Sequence, residues 1–194
     1  MSLFKKFLDK ILNKEEEKEQ EQGMLEYGDR LKNTDLDYKF AQLFTISGGI
    51  FNYCADDAEA LKTLNQIIKV EGIKSVFCCD EDLKKFLAVT KTHFTHGLDI
   101  NNDAAFLTCE YLIAYDGRIM LSHHNIQHYN SSRLPEKIIV MATVSQIVAN
   151  LSEAMMHIKR RENVRNLTSI SGGKSKLDTP NKVNTKLFLL LLED

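Results

Sequence analysis

Alternation between helical and strand-like stretches constrains the fold of this chain more than any other feature of its sequence. Apolar residues at helical spacing predict three helices, over about residues 35–46, 56–72 and 80–89. Short apolar runs between them predict strands over residues 50–54 and 75–79. Strands that alternate with helices in this way form a parallel sheet covered on both faces, so the sequence predicts an α/β fold.

The second half of the chain extends this sheet with less regular spacing. Further strands are predicted over residues 106–108, 119–121, 138–141, 167–170 and 187–192. A long helix is predicted from Ser145 to about Arg161, with its apolar side chains, Ile147, Val148, Leu151, Met155 and Ile158, facing inward. The polar segment 91–103 is predicted to be irregular.

Composition narrows the class of protein. A chain of 194 residues with 43% hydrophobic residues can bury one domain's core, which we place at residues 35–194. Its net charge of −2 favours neither nucleic acid nor a membrane as a partner, and no apolar run approaches the ~20 residues of a membrane span. The four cysteines form no CxxC pair, so we expect reduced thiols in a cytoplasmic protein.

Residues 1–34 form a separate N-terminal extension in this interpretation. Apolar residues at helical spacing between lysines predict an amphipathic basic helix over residues 2–14, and a charged stretch follows from Glu15 to Gln22. Such a helix packs on its own domain or a second subunit, docks a partner, or contacts a membrane surface. We prefer packing, because one such helix anchors weakly to a membrane.

The stretch from Phe106 to Pro135 is the best candidate for a functional site. It places Glu110 directly after an apolar run and an Asp116-Gly117 turn before the next one. Acids at strand ends beside a glycine turn are typical of α/β sites, where loops converge on one edge of the sheet. Glu110 is a candidate nucleophile or base. The structural alternatives are a surface acid for Glu110 and a turn residue for Asp116.

A glycine-containing loop, Ser171-Gly172-Gly173-Lys174-Ser175, follows the strand at 167–170. Backbone amides at glycines approach anions closely, and a lysine and a hydroxyl add affinity for an anion. Its spacing is not that of a Walker A loop. Basic residues outnumber acids between Lys159 and Lys186, which fits a small anionic ligand as well as it fits a surface loop with solvated charges.

Five histidines lie in two loop regions, but their spacing matches no compact metal motif, so we expect no metal site. They are His93, His96, His123, His124 and His128.

Several of these motifs occur in a recognisable order. In chain order they are the Gly48-Gly49 pair before the first strand, Cys109-Glu110, Ile113-Ala114-Tyr115-Asp116-Gly117, Arg133-Leu134-Pro135 before a strand, and the loop from Ile170 to Asp178. From about Phe40 to Leu192 the chain thereby resembles the LUD domain, the family of LutC-like lactate-utilisation proteins. Agreement in order over this length is specific.

The resemblance implies a three-layer sandwich with a mostly parallel central sheet, as in the NagB/RpiA/CoA-transferase group. It also implies a role in oxidising lactate to pyruvate with iron-sulfur oxidoreductase subunits as partners. The clusters would belong to those partners, since the four cysteines here lack cluster spacing, and we expect no cofactor in this chain.

The sequence departs from the family pattern at the edge of the sheet where we expect the ligand to bind. No threonine accompanies Asp116-Gly117, Gly173 stands where the family has proline, and residues 181–186 replace a Gly-x-His-Gly-Pro motif. These changes favour an accessory, ligand-binding role over catalysis. The expected ligand-binding residues are Gly48, Gly49, Gly117, Arg133, Ser171, Gly172, Lys174, Ser175 and Asp178, with Glu110 and Asp116 as catalytic candidates at the same edge.

Two other functions stay open at this point. One is a CoA-transferase-like or phosphosugar isomerase-like enzyme that uses Glu110 as nucleophile or base. The other is a scaffold that docks a partner through residues 2–14.

Overall fold

The computed structural model of the protein describes residues 35–161, 163–172 and 185–193. The predicted helix over residues 2–14 and the charged stretch after it lie outside the described residues. Within the described part of the chain, no helix is both long and apolar enough to cross a bilayer.

The described residues form five α-helices and ten strands. The helices are α1 (Leu36–Ile46), α2 (Asp57–Val70), α3 (Glu81–Val89), α4 (His123–Ile126) and α5 (Leu151–Lys159). The strands are β1 (Ile50–Cys54), β2 (Ser75–Phe77), β3 (His93–Thr95), β4 (Ala104–Leu107), β5 (Tyr111–Ile113), β6 (Arg118–Leu121), β7 (Lys137–Thr143), β8 (Ile147–Val148), β9 (Thr168–Ile170) and β10 (Lys186–Leu192).

Six strands form the central sheet, in the order β1-β10-β7-β4-β2-β3. All neighbouring pairs are parallel. Strand β10 shows why its sequence is an unbroken apolar run. Leu189 and Leu191 face one core and Phe188 and Leu190 face the other, so the strand is buried on both faces. The predicted α/β fold with a mostly parallel sheet is confirmed.

Helices α2 and α3 cover one face of this sheet, where Leu64 and Leu87 are fully buried. Both helices begin directly after an aspartate, close to the predicted starts at residues 56 and 80. The Asp56 carboxylate accepts a 2.8 Å hydrogen bond from the Glu59 amide, and Asp80 caps α3 by accepting from the amides of its first turn. Such caps satisfy amides that have no partner within the helix.

The other face is covered by α1 and by a second, four-stranded sheet in the order β8-β5-β6-β9. Its centre is the β5–β6 hairpin, which the Asp116-Gly117 turn connects. Helix α5 packs on the outer face of this small sheet through Ala154 and Ile158. The molecule is therefore layered as helices, central sheet, and small sheet with α1.

The predicted long helix from Ser145 to about Arg161 is wrong. The segment divides into a 3-10 turn (Val144–Gln146), strand β8 and the shorter α5. Ile147 and Val148 pair with β5 instead of facing a helical core, and Leu151 is 54% exposed. Adjacent β-branched residues suit a strand, so sheet pairing outweighs the helical spacing.

The segment 91–103 also differs from its prediction, because it contains the edge strand β3. This strand is only three residues long and pairs in parallel with β2. Two of its residues, His93 and Phe94, are exposed. The strand therefore lacks the run of buried apolar side chains by which a strand can be predicted from sequence.

Candidate functional site

A pocket of about 460 Å³ opens beyond the carboxyl ends of β4 and β7. Loops at the carboxyl ends of parallel strands are where α/β folds place ligands. The lining comes from the residues that follow β4, from β5, from the 3-10 turn and β8, and from α5 with Arg161, two residues beyond its end. The lining residues are Cys109, Glu110, Tyr111, Ser145, Gln146, Ile147, Val148, Glu153, His157 and Arg161.

Glu110 lies in the wall of this pocket and is only 6% exposed. Its Oε1 accepts a 2.5 Å hydrogen bond from the Ser122 hydroxyl, and its Oε2 accepts a 3.0 Å hydrogen bond from Arg161 Nη1. A buried carboxylate needs such partners to offset the loss of its hydration. Both oxygens are engaged, so Glu110 serves as the counter-ion of Arg161.

Arg161 has a second fixed contact on the same side of the pocket. Its Nη2 donates a 2.6 Å hydrogen bond to the Tyr111 hydroxyl, and its guanidinium lies 5.2 Å from the centre of the Tyr111 ring. The Arg161 side chain is half-exposed, unlike Glu110. A guanidinium has five N–H donors. Arg161 is therefore held in place with donors beyond those two contacts.

Glu153 and His157 stand at intervals of four residues before Arg161, so the three side chains follow one face of α5 and its extension. Glu153 Oε2 accepts a 2.7 Å hydrogen bond from the Ala149 amide. Its Oε1 lies 4.0 Å from His157 Nε2. The His157 ring stacks on Tyr111, with 5.8 Å between ring centres. This face gives the pocket an acid, an imidazole and a guanidinium in one row.

Gln146 stabilises the remaining wall of the pocket through two hydrogen bonds. Its Nε2 donates a 2.6 Å hydrogen bond to the Cys109 carbonyl, and its Oε1 accepts from the Thr143 amide at 2.9 Å. The end of β7 is thereby tied to the end of β4. Burial raises the pKa of the Cys109 thiol, so this thiol stays protonated and is a poor nucleophile.

A chain of buried hydrogen bonds supports Glu110 from behind. The Ser122 amide donates to Asn125 Oδ1 at 2.8 Å, and Asn125 Nδ2 donates to Thr108 Oγ1 at 3.1 Å. Thr108 lies 3.4 Å from Asp80 Oδ2. Ser122 and Asn125 are nearly inaccessible to solvent, so these bonds hold Ser122, the hydrogen-bond partner of Glu110, in a fixed position.

The pocket belongs to a segment that matches a known family. Residues 98–183 match the family model of the LUD domain. This match confirms, for that segment, the resemblance to the LUD domain expected from the sequence. Its structure is similar to the crystal structure of a DUF162 family protein from Deinococcus radiodurans, with a TM-score of 0.61 and 18% sequence identity over 81% of this chain and 95% of the other. That likeness supports the fold, and no curated protein matches the chain.

The predicted glycine motifs meet at the carboxyl end of α1. A Cβ atom on Gly172 would lie 2.3 Å from the backbone nitrogen of Gly49, and one on Gly117 would lie 2.5 Å from that of Phe44. A Cβ on Gly49 would fall 2.4 Å from the Phe44 ring. Close approach to backbone at Gly117 and Gly172, and to the Phe44 ring at Gly49, therefore accounts for these glycines without a ligand.

Other predicted site residues lie apart from the pocket. Both Asp116 oxygens contact Arg118, one through its amide and one through its side chain, as in a turn. Arg133 is exposed in a 3-10 turn before the amino end of β7, whereas the pocket lies beyond that strand's carboxyl end.

The structure separates Glu110 from Ser171, which we expected at one edge. Ser171 follows Ile170, which pairs with Ile119 near the turn of the hairpin, whereas Glu110 lies beyond the opposite end of β5. The three residues of β5 alone span roughly 10 Å. The expected ligand contacts of Lys174, Ser175 and Asp178 lie outside the described residues and stay predictions.

The histidines of the two loop regions have no common centre. His96 lies beside Lys84 and Gln127, whereas the centres of the His123 and His124 rings lie 3.9 Å apart. Among the described residues, no group of three or more His, Cys, Asp or Glu could hold a metal ion.

Sequence reasoning missed most of the pocket. Of its lining residues it singled out only Glu110 as a site residue, while the contacts place Tyr111, Gln146, Glu153, His157 and Arg161 around it. One available signal was the spacing of four between Glu153, His157 and Arg161. The prediction of one long helix over this segment treated those residues only as its polar side.

Proposed function

We propose that this LUD-domain protein is an accessory, ligand-binding subunit in the oxidation of lactate or a related organic acid. The ligand, a small carboxylate, would occupy the pocket beside Arg161. Support comes from the LUD-domain match and from a pocket at the edge of the sheet where α/β folds place ligands.

The observation that carries this proposal is the fixed guanidinium of Arg161. Glu110 and Tyr111 each take one of its N–H donors and set its orientation within the pocket wall. Guanidinium groups bind carboxylates in a planar, often two-pronged arrangement that lysine does not reproduce. A positioned arginine in a pocket of this size favours an anionic group as part of the ligand.

A purely catalytic use of Glu110 is less favoured by its contacts. A nucleophile or base needs an oxygen lone pair directed at the substrate. Here Ser122 donates to one oxygen and Arg161 to the other, which lowers the reactivity of both. We therefore assign Glu110 to the support of Arg161.

The electron-transfer part of the reaction would belong to iron-sulfur oxidoreductase subunits that associate with this chain. The cysteines at positions 54, 78 and 109 are buried and lie in separate strands or strand ends, unlike the grouped thiolates that ligate clusters. Affinity purification of the full chain under anaerobic conditions, followed by iron analysis of co-purifying proteins, tests this. Recovery of the chain with no iron-containing partner would contradict it.

Titration calorimetry of the full chain with lactate, pyruvate, phosphosugars and CoA esters tests the ligand class. We expect a small carboxylate to bind and Arg161→Lys to weaken its affinity about tenfold or more, because one charge-assisted hydrogen bond contributes about 1.5 kcal/mol or more. Arg160→Lys is the matched control, since Arg160 is exposed and does not line the pocket.

Two results would refute the proposal. One is that no small carboxylate gives a measurable heat of binding or a shift in the melting temperature. The other is equal loss of affinity in Arg161→Lys and Arg160→Lys, which would place the anion outside this pocket.

A further inference from the structure

The pocket lining offers a ligand a hydrogen-bond acceptor as well as donors. Its lining contains one guanidinium, Arg161, and two carboxylates, Glu110 and Glu153. Glu110 already pairs with the guanidinium, whereas the second acid, Glu153, has no cation at hydrogen-bond distance among the described residues. A ligand suited to this lining offers both an acceptor for Arg161 and a donor for an acid.

Glu153 is positioned to accept that donor. The Ala149 amide holds its Oε2 at 2.7 Å, and the Asn150 side chain caps the same helical turn through the Glu153 amide at 3.0 Å. The described residues offer Oε1 no donor at hydrogen-bond distance; His157 Nε2 is 4.0 Å away. An ionised carboxylate oxygen can accept two hydrogen bonds, so Oε1 has capacity for a ligand.

Glu153 and Arg161 lie on the same face of α5 and its extension, each about one helical turn from His157. Glu153 stands four residues before His157, and His157 stands four residues before Arg161. The His157 ring is fixed by stacking on Tyr111, which also holds Arg161. The acceptor and the donors are thus built on one rigid surface.

Resting on the proposed function, we propose that Glu153, with His157 beside it, determines the specificity of the pocket. Its Oε1 accepts a hydrogen bond from a hydroxyl group on the ligand while Arg161 binds the ligand's carboxylate. The pocket therefore selects hydroxy acids over the corresponding keto acids, which have no donor at that carbon. A keto oxygen facing Oε1 would bring two acceptors together and leave both unpaired.

Titration calorimetry with lactate and pyruvate tests the selection, because the two acids differ at this group and little in size. We expect the wild-type chain to bind lactate at least tenfold more tightly than pyruvate, the effect of one hydrogen bond to a charged group. Glu153→Gln should remove or reverse this ratio. Its amide oxygen can still accept from the Ala149 amide and its NH₂ group presents donors to the ligand.

Glu136→Gln is the matched control, because it makes the same change of charge at an exposed position before the amino end of β7. We expect it to leave the ratio unchanged. Thermal melts of both variants check that the α5 cap survives, and the wild-type ratio tests the proposal independently of any variant.

The outcomes separate this inference from the proposed function. If lactate and pyruvate bind equally to the wild type and Arg161→Lys weakens both, the specificity role of Glu153 is refuted and the carboxylate pocket stands. If Glu153→Gln weakens both acids equally, Glu153 only caps the helix, which also refutes the inference. If neither acid nor any other small carboxylate binds, both proposals fail.

Discussion

Substitution of Gly172 by alanine tests how the two sheets are joined. The new Cβ would lie 2.3 Å from the Gly49 nitrogen and 2.5 Å from the Gly48 carbonyl carbon, far inside the contact distance of real Cβ atoms. The nearest atoms all belong to the backbone of Gly48 and Gly49, so no side chain can rotate to relieve the overlap. We expect a loss of about 3 kcal/mol in the free energy of unfolding, the upper end of the range for overpacking.

For a chain of this length, that loss corresponds to a fall of roughly 6–12 °C in Tm. Differential scanning calorimetry measures it directly. Gly72→Ala is the control, because Gly72 has a positive φ of 64° but nothing within 4 Å of its would-be Cβ. Only the left-handed conformation is strained there, at a cost of about 1 kcal/mol.

The reasoning would be refuted if Gly172→Ala melted within about 2 °C of the wild type. Loss of ligand binding at unchanged stability would show instead that Gly172 approaches a ligand, as the glycine-loop prediction from the sequence has it. A larger effect of Gly72→Ala than of Gly172→Ala would likewise contradict the packing argument.

Three further predictions concern stability. Arg161→Ala should lower the free energy of unfolding by about 2 kcal/mol, because it leaves buried Glu110 unpaired. This loss is smaller than for a fully buried pair, since the guanidinium is half-exposed. Adding Glu110→Gln should recover part of it, and additive losses in urea titrations would contradict the pairing. Leu64→Ala should cost about 2–5 kcal/mol in the same assay, and a loss below 1 kcal/mol would argue against its full burial. The amides of Lys74 and Ser75 lower the pKa of Asp103, so its contribution to stability is present above the unfolded pKa and is lost as pH falls through the folded pKa. Asp103→Asn should therefore flatten the acid limb of the stability profile below the unfolded pKa, and an unchanged limb would contradict this.

The central sheet was predictable because its signals are local. Strand β10 is apolar at successive positions, which only burial on both faces explains. Asp56 and Asp80 mark helix starts because short carboxylates satisfy the first amides of a helix. These preferences act within a few residues and are readable without knowing what lies opposite.

The small sheet and the pocket were not predictable in the same way. Ile147 and Val148 fit helical spacing, yet they pair with β5, whose residues lie more than thirty positions earlier in the chain. Glu110 was identified from its place after an apolar run, but its partners Ser122 and Arg161 could not be named from one sequence. The spacing of Glu153, His157 and Arg161 was visible and became meaningful only beside Tyr111.

By itself, the sequence determined the α/β class, most element positions and the LUD-domain resemblance, because periodicity, caps and motif order are local properties of the chain. The tertiary structure alone showed that Gly49, Gly117 and Gly172 pack closely against neighbouring atoms, and that Glu110 pairs with Arg161 in the wall of a pocket and lies apart from Ser171. Contacts between distant segments depend on how layers of structure stack, and no residue pattern within a single segment encodes that arrangement.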